Sequence, residues 1–278
     1  MYKFRLCAFA DEASPEIDGQ IKALKENGIG FIELRGVGEK NVTELTAQEM
    51  RDLRRRLNAE GIEIWSIGSP LGKIELDEDF DAHLELFRKT VELAEIGGAR
   101  KIRMFSFYVS ADKADDCKNE VIDRLGKFAD AAAGSSVILC HENEKGIYGD
   151  VPERCVEIHK AIPSIRAVYD PANFIQCGVD TLKAWDMLEP YINYMHMKDA
   201  DASHTIVPAG KGIANVPELL KRYEKLGGDV ITLEPHLFEF ANLASLEKDG
   251  NTSHIGGVFA DKREAFDCGV NSLKELMK

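Results

Sequence analysis

Residues 80–105 read FDAHLELFRKTVELAEIGGARKIRMF, and the change of pattern inside this stretch decides the fold. Phe80–Ile96 is amphipathic at helical spacing, Gly97-Gly98 supplies the left-handed residue that closes a helix, and Lys101–Phe105 is a short apolar run of strand length. The same succession returns along the chain. Strand-like runs occupy Phe4–Phe9, Gly30–Leu34, Ile62–Ile67, Lys101–Phe105, Val137–Cys140, Ile165–Tyr169, Tyr191–Met195 and Val230–Leu233. Amphipathic stretches such as Pro15–Asn27, Ala47–Ala59 and Asp115–Ala132 lie between them, and Asn27-Gly28, Glu60-Gly61 and Gly227-Gly228 repeat the glycine stop. Short apolar strands alternating with helices imply a parallel sheet covered by helices on its outer face. Eight units averaging about 35 residues suit a closed (β/α)8 TIM barrel, one domain over residues 1–278. An open doubly wound sheet would carry G-x-G-x-x-G after its first strand, and none follows Phe4–Phe9.

Thirty-five basic against 48 acidic residues give a net charge of −13, which repels phosphodiester backbones, and no basic stripe offsets it. No nucleic-acid partner is expected. No apolar run reaches the roughly 18 residues of a membrane span, and Met1–Ala10 reads as a first strand, not a signal peptide. Six cysteines are scattered without a C-x-x-C pair, as expected of free thiols in a reducing cytoplasm. From Leu237 to Phe259 the period is lost, which reads equally as a long βα loop of functional or oligomeric use, with a homo-oligomer as partner, and as a mobile surface excursion.

Barrel active sites sit at the C-terminal ends of the strands. Read to its last residue, strand five runs into Glu142, strand six ends at Asp170 before Pro171, strand seven at His196 and strand eight at Glu234 before Pro235. Two Glu, one Asp and one His converging on one axis suit a single divalent ion, Mn²⁺, Mg²⁺, Co²⁺ or Zn²⁺, with positions left for water or substrate. Glu144 shares the parity of Glu142 and is its rival; His141 points the other way and is expected to be structural, as packing or surface roles are for His83, His159 and His204.

The matching stretches His141-Glu142-Asn143, Tyr169-Asp170-Pro171-Ala172-Asn173-Phe174, His196-Met197-Lys198-Asp199 and Leu233-Glu234-Pro235-His236 resemble the xylose-isomerase-like superfamily, in particular its sugar-phosphate isomerase/epimerase group. Ile32-Glu33-Leu34 and Ile102-Arg103-Met104-Phe105 extend the likeness along the chain. The resemblance implies that Glu142, Asp170, His196 and Glu234 bind the metal and that Glu142 and Glu234 also shuttle protons. One departure stands out. Where ketose 3-epimerases carry a substrate-binding histidine three residues after the aspartate, this chain has Asn173, which hydrogen-bonds but does not titrate.

The expected chemistry is removal of a proton beside a carbonyl and its return by two carboxylates on opposite sides of the substrate, with a dication as Lewis acid and no organic cofactor. Lys198, Asn173, Glu33, Arg103, His236 and Lys73 are the candidate substrate contacts, with Arg35 beside Glu33 at the end of strand two. Lys211 in Gly210-Lys211-Gly212 offers a weaker phosphate-nest signal. The leading expectation is a metal-dependent isomerase or epimerase of a sugar or sugar phosphate. A lyase or dehydratase acting on a keto-sugar or keto-inositol uses the same first step, and a non-catalytic sugar- or metal-binding barrel is the alternative of another class. An abasic-site endonuclease on this barrel would need more strand-end histidines than the seven in the chain supply, and a basic surface.

Overall fold

A computed structural model describes residues 2–239 and 254–278. Eight parallel strands close into a barrel: β1 (Arg5–Ala8), β2 (Phe31–Leu34), β3 (Glu63–Gly68), β4 (Lys101–Met104), β5 (Ile138–Glu142), β6 (Arg166–Tyr169), β7 (Ile192–Met197) and β8 (Val230–Leu233). Each pairs with its sequence neighbours, and β1 pairs with β8 (Arg5 with Val230 through Ala8 with Leu233), which closes the ring. The expected TIM barrel is present. Of the unpatterned segment 237–259, residues 240–253 lie outside the described residues, and His254–Ile255 pair as a short strand with Thr205–Val207.

Helices α1 (Ile17–Glu26), α2 (Ala47–Ala59), α3 (Phe80–Gly97) and α4 (Ala114–Ala132) cover the first half of the barrel, and α5 (Pro152–Ala161) follows β5. Helix α2 begins where it does because of a reciprocal cap. Thr46 Oγ1 accepts the Glu49 N–H at 3.2 Å and the Glu49 carboxylate accepts the Thr46 N–H at 2.7 Å. Helix α3 buries Leu84, Phe87, Val91 and Ala94 on one face, and Phe87 stacks on Phe128 of α4 with ring centroids 4.4 Å apart. Burying each ring contributes about 2–3 kcal/mol. The chain leaves α3 through Gly98 at φ 78°, the left-handed stop expected there. In the Gly227-Gly228 pair the work is divided: Gly227 takes φ 84°, while a Cβ on Gly228 would lie 2.4 Å from the Tyr223 ring.

Two irregularities in the barrel place side chains that matter later. Between β2 and β3 the register jumps from Ile32–Ile64 to Glu33–Ser66, so Trp65 is a bulge residue without a partner on β2. Beneath the C-terminal mouth the lumen holds a polar layer, in which the Tyr194 hydroxyl donates to Glu33 Oε1 at 2.8 Å and lies 3.3 Å from Ser66 Oγ. The six cysteines are free. No helix among the described residues is long and apolar enough to cross a membrane.

His83 and His159 prove to be internal acceptors and donors of the scaffold, and His204 is exposed. His83 Nε2 accepts the Gly72 N–H at 2.8 Å, which requires a neutral ring, and buried His159 holds the Ile165 carbonyl through Nδ1 at 3.1 Å. Burial pushes both down to about 4. The unfolded chain, with histidines near about 6.5, then takes up protons first, so stability is complete above pH 6.5 and falls as pH drops toward 4. For His159 the loss is about 3 kcal/mol. Urea unfolding at pH 7.5, 6, 5 and 4 should show His159→Asn less stable than the parent at pH 7.5 and nearly equal to it at pH 4.

Candidate metal centre

The four strand-end residues meet. One ligand atom from each of Glu142, Asp170, His196 and Glu234 lies within 4.8 Å of the others, and all four residues are buried. Glu142 is the last residue of β5, His196 the last but one of β7, and Glu234 follows β8 directly. Asp170 follows β6 directly and caps the next helix, α6 (Pro171–Gln176). Its Oδ1 accepts the Asn173 N–H at 3.0 Å, and Pro171 at the first helical position sacrifices no hydrogen bond. Its other oxygen, Oδ2, is buried and accepts no hydrogen bond, although Lys198 Nζ stands 3.2 Å away.

The imidazole is aimed by what lies beneath it. His196 Nε2 is 3.2 Å from Glu33 Oε2, whose carboxylate also accepts from Tyr194 and, at 2.9 Å, from Thr232. With Nε2–H donated to Glu33, Nδ1 presents a lone pair to Glu142 Oε1 at 2.9 Å and Glu234 Oε2 at 3.4 Å. Acceptors this close need a cation between them. In a chain without metal a proton supplies it: burial opposes charge on His196, but Glu142 and Glu33 drive its pKa well above the ordinary value. The same crowding, with burial first and Glu142 and Glu234 adding to it against Lys198, pushes Asp170 up to about 7. Three carboxylate oxygens, the unbonded Asp170 Oδ2 among them, and one oriented imidazole nitrogen fit a divalent ion of the oxygen- and nitrogen-preferring kind.

The other expected contacts are distributed unevenly. Lys198 reaches the cluster, between Asp170 Oδ2 and Glu234 Oε2 at 3.2 and 3.5 Å. Arg103 Nε is 3.1 Å from Glu142 Oε2, and Asn173 Nδ2 donates to the Asn143 carbonyl at 2.9 Å and more weakly to Glu142 Oε1 at 3.4 Å. Lys73 pairs with Glu144 at 3.3 Å over the face of Phe105. Glu144 is therefore part of a wall beside the cluster and not in it. Glu33, expected against substrate, has no exposed surface and is spent on His196, Tyr194 and Thr232. Lys211 does not frame an open nest: Asp199 already accepts the Gly210 and Gly212 N–H groups at 2.8 and 3.0 Å. Gly212 is required there, because a Cβ would sit 2.2 Å from Asp199 Oδ1.

Asp11 and Glu12, absent from the expected set, complete the site. Arg35, fully enclosed, bonds Asp11 (2.8 and 3.0 Å), Glu12 (3.2 Å) and Glu234 Oε1 (3.1 Å). His236 donates its backbone N–H to Glu12 Oε2 at 2.7 Å from a left-handed φ of 46°, and its Nε2 lies 3.3 Å from Glu234 Oε1. Glu12, Glu234 and His236 thus form a second tight group, whose negative charge Arg35 already meets. In the sequence Asp11-Glu12 follows the first strand-like run, Phe4–Phe9, after a single alanine, which is the signal that points to them.

Among known proteins, residues 21–249 match the family described as xylose isomerase-like TIM barrel. Over 220 residues (70% of this chain and 77% of the relative) the chain is 26% identical to 3-dehydroshikimate dehydratase of Bacillus anthracis. Two solved structures superpose over nearly the whole chain. The IOLI protein with a bound zinc atom has a TM-score of 0.75, 17% identity and coverage of 99% of this chain and 98% of that one. A D-psicose 3-epimerase in the presence of D-fructose has a TM-score of 0.74, 18% identity and coverage of 99% and 100%. At these identities the structural likeness is one of fold.

Elemental analysis of protein purified without chelator should find one divalent ion per chain. Glu33→Gln, which leaves the four ligands in place but loosens the imidazole, should weaken metal affinity by about 10- to 100-fold. An unchanged affinity would mean that Glu33 does not orient His196.

Proposed function

The chain belongs to the xylose isomerase-like TIM-barrel family, and from that membership we propose that it is a metal-dependent isomerase or epimerase of an uncharged polyhydroxy ketone. The observation that carries the reading is the convergence of Glu142 and Glu234, from β5 and β8, on one buried cluster with Asp170 and His196. These four residues would hold the ion, and Mn²⁺, Mg²⁺, Co²⁺ and Zn²⁺ all suit the donors. A bound dication supplies Lewis acidity for a carbonyl and its neighbouring hydroxyl.

The chain's own residues supply the rest. Glu142 is held from one side by Arg103 and Glu234 from another by Arg35 and Lys198, so the two carboxylates are fixed at different points of the mouth. One takes the proton beside the carbonyl and the other returns a proton to the opposite face. Lys198, buried among Asp170, Glu234 and Glu144, stays charged, because their fields outweigh burial and drive its pKa up. It is placed to donate to a substrate oxygen as negative charge develops there.

Charge pairing supports an uncharged substrate. Lys73, Lys198, Arg35 and Arg103 each have a carboxylate partner, and Asp199 already accepts the Gly210 and Gly212 N–H groups, so these four buried cations and this loop are committed before a phosphate arrives. The likeness to 3-dehydroshikimate dehydratase favours a second reading, dehydration after the same proton abstraction. That substrate carries a carboxylate, which the pairing at the mouth does not favour.

Protein loaded with Mn²⁺ and offered ketoses, inososes, ketose phosphates and 3-dehydroshikimate in D₂O tests both readings. We expect turnover of an uncharged ketose or inosose, with deuterium at the carbon next to the carbonyl. Glu142→Gln and Glu234→Gln should each lower kcat by at least about 100-fold. Product that keeps its original hydrogen would count against the two-glutamate transfer, and a preference for the phosphates would overturn the uncharged substrate.

A further inference from the structure

At the opposite end of the barrel, Arg5, Phe31, Glu63 and Lys101 open strands β1 to β4. With Trp65 and Arg100 they line a cavity of about 280 Å³ on the floor of the barrel. Lys101 is the unusual member. It is 9% exposed, and its ammonium makes no ion pair or hydrogen bond among the described residues; it lies 3.7 Å from the centroid of the Trp65 ring. Trp65 stands there because it is the bulge residue of β3, and its buried Nε1–H likewise has no acceptor. An ammonium withdrawn from water toward an aromatic face is compensated only in part by the ring.

Two more cations join it, Arg5 and Arg100. Arg5 lies over the Phe31 ring at 4.7 Å and is held by Asp229, its Nε donating to Oδ1 at 2.8 Å. Arg100 completes a set of three cations, against which the lining offers one carboxylate, Glu63. This concentration of positive charge occurs in a chain of net charge −13. It contrasts with the mouth, where Lys73, Lys198, Arg35 and Arg103 are all paired.

We propose that the barrel floor is a binding site for a small oxyanion of the phosphate class, seated against the Lys101 ammonium with Arg5 and Arg100 at its rim. The cavity lies just below the range of about 300–1,000 Å³ common for drug-sized ligands, which suits a single phosphoryl group and not a nucleotide. Binding there adds the missing counter-charge to the ends of four strands. It therefore stabilises the folded chain without touching the catalytic mouth. The phosphoryl group can belong to free phosphate or to a small phosphate monoester.

The test is titration of the full-length, metal-loaded protein at constant ionic strength with inorganic phosphate, sulfate and glycerol 3-phosphate. Calorimetry and tryptophan emission are the readouts, since Trp65 is one of two tryptophans. We expect saturable one-to-one binding, an emission change, a rise in Tm and no loss of binding after the metal is chelated. Lys101→Met should weaken binding by at least about tenfold, and Arg100→Gln, an exposed change that leaves the barrel intact, by several-fold. If Lys101→Met does not fold, Arg100→Gln decides. Selective binding of glycerol 3-phosphate would identify the ligand as a monoester, and equal binding of phosphate would identify the free ion; either supports the site. Response that follows ionic strength alone, that is unchanged in Arg100→Gln, or that disappears with the metal would overturn it.

Discussion

Three carboxylates and an imidazole held out of water within 4.8 Å of one another do not stay ionised together without positive charge among them. Much of the upper half of the barrel can be understood as the answer to that constraint. Lys198 enters from β7 between Asp170 and Glu234, Arg103 reaches Glu142 from β4, and Arg35 reaches Glu234 from the end of β2. Each of these cations is itself buried, so neither partner of a pair can be removed cheaply; an uncompensated buried charge costs about 3–5 kcal/mol. A divalent ion at the cluster would supply the charge that these side chains leave short.

Orientation follows from the layer below. Glu33 is acidic for its depth: burial alone would raise its pKa, but His196, Arg103 and Tyr194 together hold it below the ordinary value. It can therefore stay ionised inside the lumen and fix the His196 tautomer. Glu12 takes the opposite course. Burial, with Glu234 and Asp11 nearby, outweighs Arg35 and lifts it to about 8. Two buried glutamates thus shift in opposite directions, because His196 and Arg103 outweigh burial at Glu33 whereas burial outweighs Arg35 at Glu12.

Backbone groups are recruited into the same economy of charge. Asp170 gives one oxygen to the N-terminus of α6 and keeps the other for the cluster, so the helix start and the ligand position are set by one residue. Asp199 closes the 210–214 turn by accepting its N–H groups, and a loop that looks like a phosphate cradle in sequence is already filled by the protein's own anion.

How much of this was legible in the sequence follows the range of the forces involved. Strand and helix identity depends on the period of apolar residues within a short window, so the barrel, the glycine stops and the four strand-end residues that converge could be read directly. Side-chain parity placed Glu142, Asp170, His196 and Glu234 at the mouth because each lies on or next to a strand whose end is marked locally. Parity gives direction but not depth. It could not tell that Glu33 lies below the imidazole, that Lys73 is consumed by Glu144, or that Asp199 occupies the Gly210–Gly212 turn. Those outcomes rest on pairings across distant parts of the chain, such as Arg35 with Glu234 and Glu33 with His196. Barrel closure, which brings β8 beside β1, decides them: only then does a buried charge acquire the partner that fixes its position and ionisation.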